Sequence, residues 1–133
     1  NIRRLHIRTS ERLQLDLEVE FEMVTARQFE MDRQLDLGKG DYAKLSGIIK
    51  DMSAGGIKVQ LKELPSDGIK KEDVFLFHLP YASLRKKLAV SVLDVVSHEG
   101  LNDIHCEFRD VDMLTRMKLN QYLHRRKLSM EAA

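Results

Sequence analysis

Leu13, Leu15, Leu17, Val19, Phe21 and Met23 alternate without a break with Gln14, Asp16, Glu18, Glu20 and Glu22. A strict period of two over this length predicts a half-buried strand with an apolar inner face and an acidic outer one. The rest of the chain supplies partners for it. Tyr42 to Asp51 reads as a second strand, and Ile57, Val59 and Leu61 alternate with Lys58, Gln60 and Lys62 in a third. Val74 to Leu79 is a short β-like run ending at Pro80. Leu88 to Val96 is a valine-rich strand, closed by His98-Glu99-Gly100. Ile104, Cys106 and Phe108 alternate with His105, Glu107 and Arg109 in the last. Six short strands separated by turns predict a mainly-β fold, a barrel or a sandwich.

Two stretches fall outside this pattern. Thr25 to Asp41 is irregular and ends in the turn signal Gly38-Lys39-Gly40-Asp41; Phe29, Met31, Leu35 and Leu37 suit either an extended hairpin or a short helix. After the last strand, Asp110 or Asp112 can cap a helix running to about Lys127. Its apolar residues form no single stripe. Met113 and Met117 share a side, whereas Leu119 and Leu123 sit well around from them, so the helix is expected to touch the barrel and something else besides. The basic cluster His124 to Lys127 is expected in its last turn, where positive charge is favourable.

At 133 residues the chain holds one core, and 43% hydrophobic with 32% charged residues is the balance of a globular domain. A formal net charge of +1 argues against bulk attraction to nucleic acid or membranes, so any selectivity for an anion must be local. A single cysteine and the lack of a signal-peptide or membrane-spanning pattern fit a reducing, cytoplasmic setting. The chain opens at Asn1 inside a basic segment, as expected of a domain cut from a longer protein whose other part holds the effector.

Local charge is where chemistry is legible. Arg8-Thr9-Ser10-Glu11-Arg12 sets two arginines four residues apart, directly before the first strand. Asp51-Met52-Ser53-Ala54-Gly55-Gly56 places an acid, a hydroxyl and a glycine turn between the second and third strands. Guanidinium groups offer a fixed fork of donors to phosphates and guanine edges, and an aspartate can hold such a fork in place. The glycines permit a positive φ in the connection.

In order and spacing these parts resemble the PilZ domain, a bacterial receptor module for cyclic di-GMP. That family carries an RxxxR motif before its first strand and a (D/N)xSxxG motif between its second and third. Arg8 and Arg12 match the first; Asp51, Ser53 and Gly56 match the second. Cys106-Glu107-Phe108-Arg109-Asp110 followed by a helix looks like the family's closing segment, so the resemblance covers nearly the whole chain. It implies a six-stranded antiparallel β-barrel at 13–110, a flexible arginine-bearing segment at 1–12 and a C-terminal α-helix at 111–128.

It further implies cyclic di-GMP as ligand, bound by Arg8, Arg12, Asp51, Ser53 and Gly56, with Arg4 as a further phosphate contact. Arg4-Leu5-His6-Ile7-Arg8 has the same spacing; the Arg8/Arg12 register is preferred because a strand follows Arg12. Family outputs include motility, biofilm polysaccharide production and virulence, exerted through a protein partner or a linked domain.

Other chemistries are poorly served. The five histidines show no paired metal-ligand spacing, and one cysteine cannot anchor a structural zinc site. His105 and the adjacent Cys106 point to opposite faces of a strand, and Ser53 lacks a hydrolase setting, so neither a metal cofactor nor an enzyme is expected. A single-strand nucleic-acid barrel would need several stacking aromatics, yet aromatics are 6% of the chain and Trp is absent. The remaining rival is a PilZ-like protein-interaction module that does not bind nucleotide.

Overall fold

The structure, a computed structural model, describes residues 12–34, 42–80, 84 and 86–132. Six strands, β1 (Leu13–Val24), β2 (Ala43–Met52), β3 (Gly56–Leu61), β4 (Val74–Phe77), β5 (Leu88–His98) and β6 (Leu101–Phe108), are accompanied by helices α1 (Ala26–Gln34) and α2 (Met113–Ala132). The strands close into a barrel in the order β1-β2-β3-β6-β5-β4, every pair antiparallel.

The alternation of β1 translates directly into its two faces. Leu15, Leu17, Val19 and Phe21 are buried, while Asp16, Glu18 and Glu20 are exposed. Inside the barrel Phe21 packs against Phe75 and Phe77, with ring centroids 5.7 and 5.3 Å away, in a cluster with Ile49, Ile57, Val59 and Ile104. Three acids of the outer face are paired, two of them from β2 and one from the residue before β5. Lys50 pairs with Asp16 at 2.6 Å, Lys44 with Glu20 at 3.9 Å, and Lys87 with Glu22.

Within the irregular Thr25–Asp41 stretch the described residues form the helix α1; Leu35, Leu37 and the turn signal Gly38-Lys39-Gly40-Asp41 lie outside the described residues. Thr25 caps α1, its Oγ1 accepting from Gln28 N at 3.2 Å. The helix is tied to the chain after β6: Arg109 donates to Glu30 at 2.5 Å and sits 5.1 Å from the Phe29 ring centroid, and Arg33 pairs with Asp110. Asp32 is buried and accepts from Gln28 Nε2 at 2.7 Å and from the Tyr42 hydroxyl. Desolvation, reinforced by that carboxylate, pushes the Tyr42 hydroxyl up to about 12.

Asp112 provides the cap of α2, accepting from Thr115 N at 2.7 Å. The helix then runs on to Ala132, which corrects the placement of His124 to Lys127 in its last turn. No breaker follows Lys127, so these residues lie mid-helix and do not meet the final carbonyls. Leu119 and Tyr122 are the α2 residues buried in the core cluster.

Glu99 and Gly100, with φ of 51° and 78°, form the tight connection between β5 and β6. Just beyond it His98 Nε2 lies 3.0 Å from Asp103 Oδ2, and Gln60 Nε2 donates to Asp103 at 3.3 Å. The His98 contact above all holds the Asp103 carboxyl below the usual carboxylate range. A carboxyl lowered in the fold contributes stability above its unfolded value, lost as pH falls through the folded one. Asp103→Asn is therefore expected to flatten the fall in thermal midpoint below about pH 4, measured by circular dichroism.

Candidate functional site

The β2–β3 turn is built from its own polar atoms. Ser53 N donates to Gly56 O at 2.9 Å, and the Ser53 hydroxyl, itself buried, accepts from Gly55 N at 3.2 Å. Such a local hydroxyl-to-amide bond fixes a tight turn without help from the strands. Phe108 N donates to Gly55 O at 3.0 Å, anchoring the turn to β6.

The expected positive φ is not what the glycines provide. Among the described residues the glycines with positive φ are Gly68 and Gly100. Gly56 is demanded instead by proximity, because a Cβ there would lie 2.1 Å from the Cys106 carbonyl oxygen and 3.1 Å from Glu107 Cα. A Cβ on Gly55 would meet only Ser53 Oγ, at 3.8 Å.

Asp51 sits at the end of β2, across from Gln14 on β1 and Lys58 on β3. Both ladders shift register beside it, between Gln14 and Leu17 on one side and between Ile49 and Asp51 on the other. Bulges of this kind re-aim side chains at the edge of a regular sheet. Arg12 lies one residue before Leu13, whose partner across the ladder is Met52. Its Nε donates to Asp51 Oδ1 at 2.7 Å, while Lys58 Nζ stands 3.5 Å from Oδ2. The Asp51 side chain is only 14% exposed, that of Arg12 45%.

Of the residues expected in the site, Arg12, Asp51, Ser53 and Gly56 are thus gathered at one place. Arg4 and Arg8 lie outside the described residues.

Three cations join them that the sequence did not single out as site residues: Lys50, Lys58 and Arg126. A cleft of about 440 Å³ beside Asp51 is lined by Gln14, Asp16, Lys50, Lys58 and, from α2, Arg126 and Met130. Arg126 Nε is buried and has no hydrogen-bond partner among the described residues. Counting Arg12, the cleft sets four cations against the two carboxylates of Asp16 and Asp51. Lys58 was within reach of sequence reasoning, as the residue two past Gly56 on the outward face of a hairpin strand. Arg126 was not, since its place depends on how α2 packs.

A larger concavity, about 730 Å³, lies further along β1 and β2 and is lined by Glu18, Glu20 and Glu63 with Lys44 and Lys62. Three carboxylates make it the poorer host for a phosphate.

Other reactive groups are occupied or isolated. Cys106 is buried, and burial pushes its thiol up to about 12. No cluster of three metal-ligating side chains occurs among the described residues, and none of their helices is long and apolar enough to cross a membrane.

A closed antiparallel barrel of six strands, with a helix packed beside the β2–β3 turn, is the architecture of a small β-barrel module. The chain belongs to the PilZ domain family, whose pattern it matches over residues 3–125. Among solved structures it is similar to MrkH of K. pneumonia, at 13% identity and a TM-score of 0.62, covering 93% of this chain and 51% of that one. The chain therefore spans about half the length of MrkH. It is also similar to the PilZ domain of YcgR from Escherichia coli, solved with c-di-GMP, at 10% identity and a TM-score of 0.58, covering 92% of this chain and 94% of that one. The Bacillus subtilis inhibitor of motility MotI matches at 14% identity and a TM-score of 0.58, over 90% of this chain and 51% of its own. No match is found among curated proteins.

Proposed function

We propose that this domain is a receptor for cyclic di-GMP, not an enzyme, and that ligand orders the N-terminal arginine segment onto the barrel. The observation that carries this reading is the 2.7 Å bond between Arg12 and Asp51, which joins the two motif segments beside a cationic cleft. Arg12 engages Asp51 through Nε alone, which leaves its two terminal nitrogens as a fork for a guanine edge or a phosphate. Asp51 then acts as the positioning group for Arg12, and Lys58 supports the same carboxylate from the other side. Ser53 holds the turn in shape, and Gly56 lets the turn lie close against β6. Arg8, and Arg4 beyond it, close over the ligand from the terminal segment. By the family's pattern, an apolar residue such as Ile7 directly before the Arg8/Arg12 pair goes with one bound ligand, whereas in the Arg4/Arg8 register Arg3 holds that place and a stacked pair is expected.

Membership of the PilZ family supports the ligand, as do relatives solved with c-di-GMP, the YcgR PilZ domain and a K. pneumonia MrkH complex at 17% identity. Binding changes the output only by its differential affinity for the open and ordered arrangements of the arginine segment. That difference would be passed to a protein partner or a linked domain.

Calorimetric titration with cyclic di-GMP tests the reading. Saturable heat near a one-to-one ratio is expected, and a flat titration would leave the interaction-module reading in its place. Arg126 offers an independent check. Arg126→Ala is expected to weaken binding about five- to tenfold, with a shallower salt dependence, since a phosphate contact at the open cleft, screened by solvent, contributes roughly 1 kcal/mol. The thermal midpoint should change little.

A further inference from the structure

The side of α2 turned away from the barrel carries an apolar seam. Leu119 and Tyr122 face the core, fully or almost fully buried. Around the helix from them, Met113 is 79% exposed, Leu114 61%, Met117 53% and Leu128 51%. Leu114, Met117, Gln121, His124 and Leu128 follow one another at spacings of three and four residues, the repeat by which one helix seats knobs into another. All five are exposed. The helix is 20 residues long, about 30 Å, enough for nearly three heptads of contact.

Charge on the flanks selects the partner. Lys118 and Arg125 border the seam on one side, Arg116 and Lys127 on the other, and no acidic residue occurs between Met113 and Met130. A second copy of α2 would bring basic flanks against basic flanks in either orientation, and like charges at such positions disfavour pairing. A lipid surface is a poorer fit, because Gln121 and His124 interrupt the apolar seam at its middle and no aromatic lies on it. Both polar residues suit a helix partner instead, where a hydrogen bond across the seam fixes register.

We propose that the outer face of α2 docks an amphipathic helix with acidic flanks, belonging to a different protein or domain. Leu114, Met117 and Leu128 pack into its apolar stripe, while Arg116, Lys118 and Arg125 meet its carboxylates. Leu114, Met117, Gln121 and Leu128 do not line the cleft at Asp51, so the docking stands whether or not the cleft takes a nucleotide.

The test uses two designed peptides of roughly three heptads. Both have leucine at the seam; one has glutamate and the other lysine at the flanking positions. Binding is followed by fluorescence anisotropy of the labelled peptides. The glutamate peptide is expected to bind saturably, at least tenfold more tightly than the lysine peptide, and to weaken as salt is raised. Leu114→Ser with Met117→Ser should abolish that binding without moving the thermal midpoint, since both residues are exposed. Lys118→Glu with Arg125→Glu should erase the preference for the glutamate peptide, since one flank is then acidic and the other basic. Equal affinity for both peptides, or no binding of either, would overturn the proposal. So would concentration-dependent dimerisation lost in the serine variant, or binding confined to phosphatidylglycerol vesicles.

Discussion

Gly56→Ala is expected to destabilise the barrel severely, whereas Gly55→Ala, its neighbour, is expected to be nearly silent. The added methyl at Gly56 would lie 2.1 Å from the Cys106 carbonyl oxygen, and that atom belongs to backbone paired in the β3–β6 ladder. No rotamer change can relieve such a clash, so two strands must separate. Overpacking of a well-packed core costs about 1–3 kcal/mol, occasionally more, and a backbone collision belongs at the upper end. At Gly55 the methyl meets nothing nearer than 3.8 Å. Urea midpoints of the two variants should therefore differ widely while their m-values stay alike. Equal midpoints would mean that the second motif's last glycine is not fixed by packing against β6.

The second large effect concerns ligand binding. Arg12→Ala is expected to weaken cyclic di-GMP binding by between fivefold and somewhat over a hundredfold, the range for losing a bidentate guanine contact worth roughly 1–3 kcal/mol. Asp51→Ala should cost a similar factor, because Arg12 then loses the carboxylate that aims it. The two are coupled through one 2.7 Å bond, so the double variant should lose distinctly less than the sum of the single losses. Additive losses, measured by calorimetry on all four proteins, would show that Asp51 acts on the ligand independently of Arg12.

How far the sequence foretold all this depended on how local each determinant was. Every strand was legible, because alternation is a local signal: Leu15, Leu17, Val19 and Phe21 are buried just as their spacing required. The helix α1 was not resolved, since it is held by contacts distant in sequence, Arg109 to Glu30 and Arg33 to Asp110, and its Met31 remains 46% exposed. The end of α2 lies beyond the point its sequence suggests, because the run His124 to Lys127 looks like a terminal charge cluster. No glycine or proline in fact stops the helix there.

In the site, Arg12, Asp51, Ser53 and Gly56 were legible as motif spacing. The physical reason for Gly56 was not, because it lies in the register of β3 on β6, fixed by residues fifty positions away. Arg126 stayed hidden for a similar reason. Nothing near it in sequence says that α2 lies beside Asp51.

Backbone and arginine side-chain resonances of isotopically labelled protein, followed during titration with cyclic di-GMP, report where on the barrel the ligand sits. Saturable shifts are expected at the amides of Arg12, Asp51, Gly55 and Gly56 and at the Nε–H groups of Arg12 and Arg126. Shifts confined to Glu18, Lys44 and their neighbours on the outer groove, or no shifts at all, would contradict it.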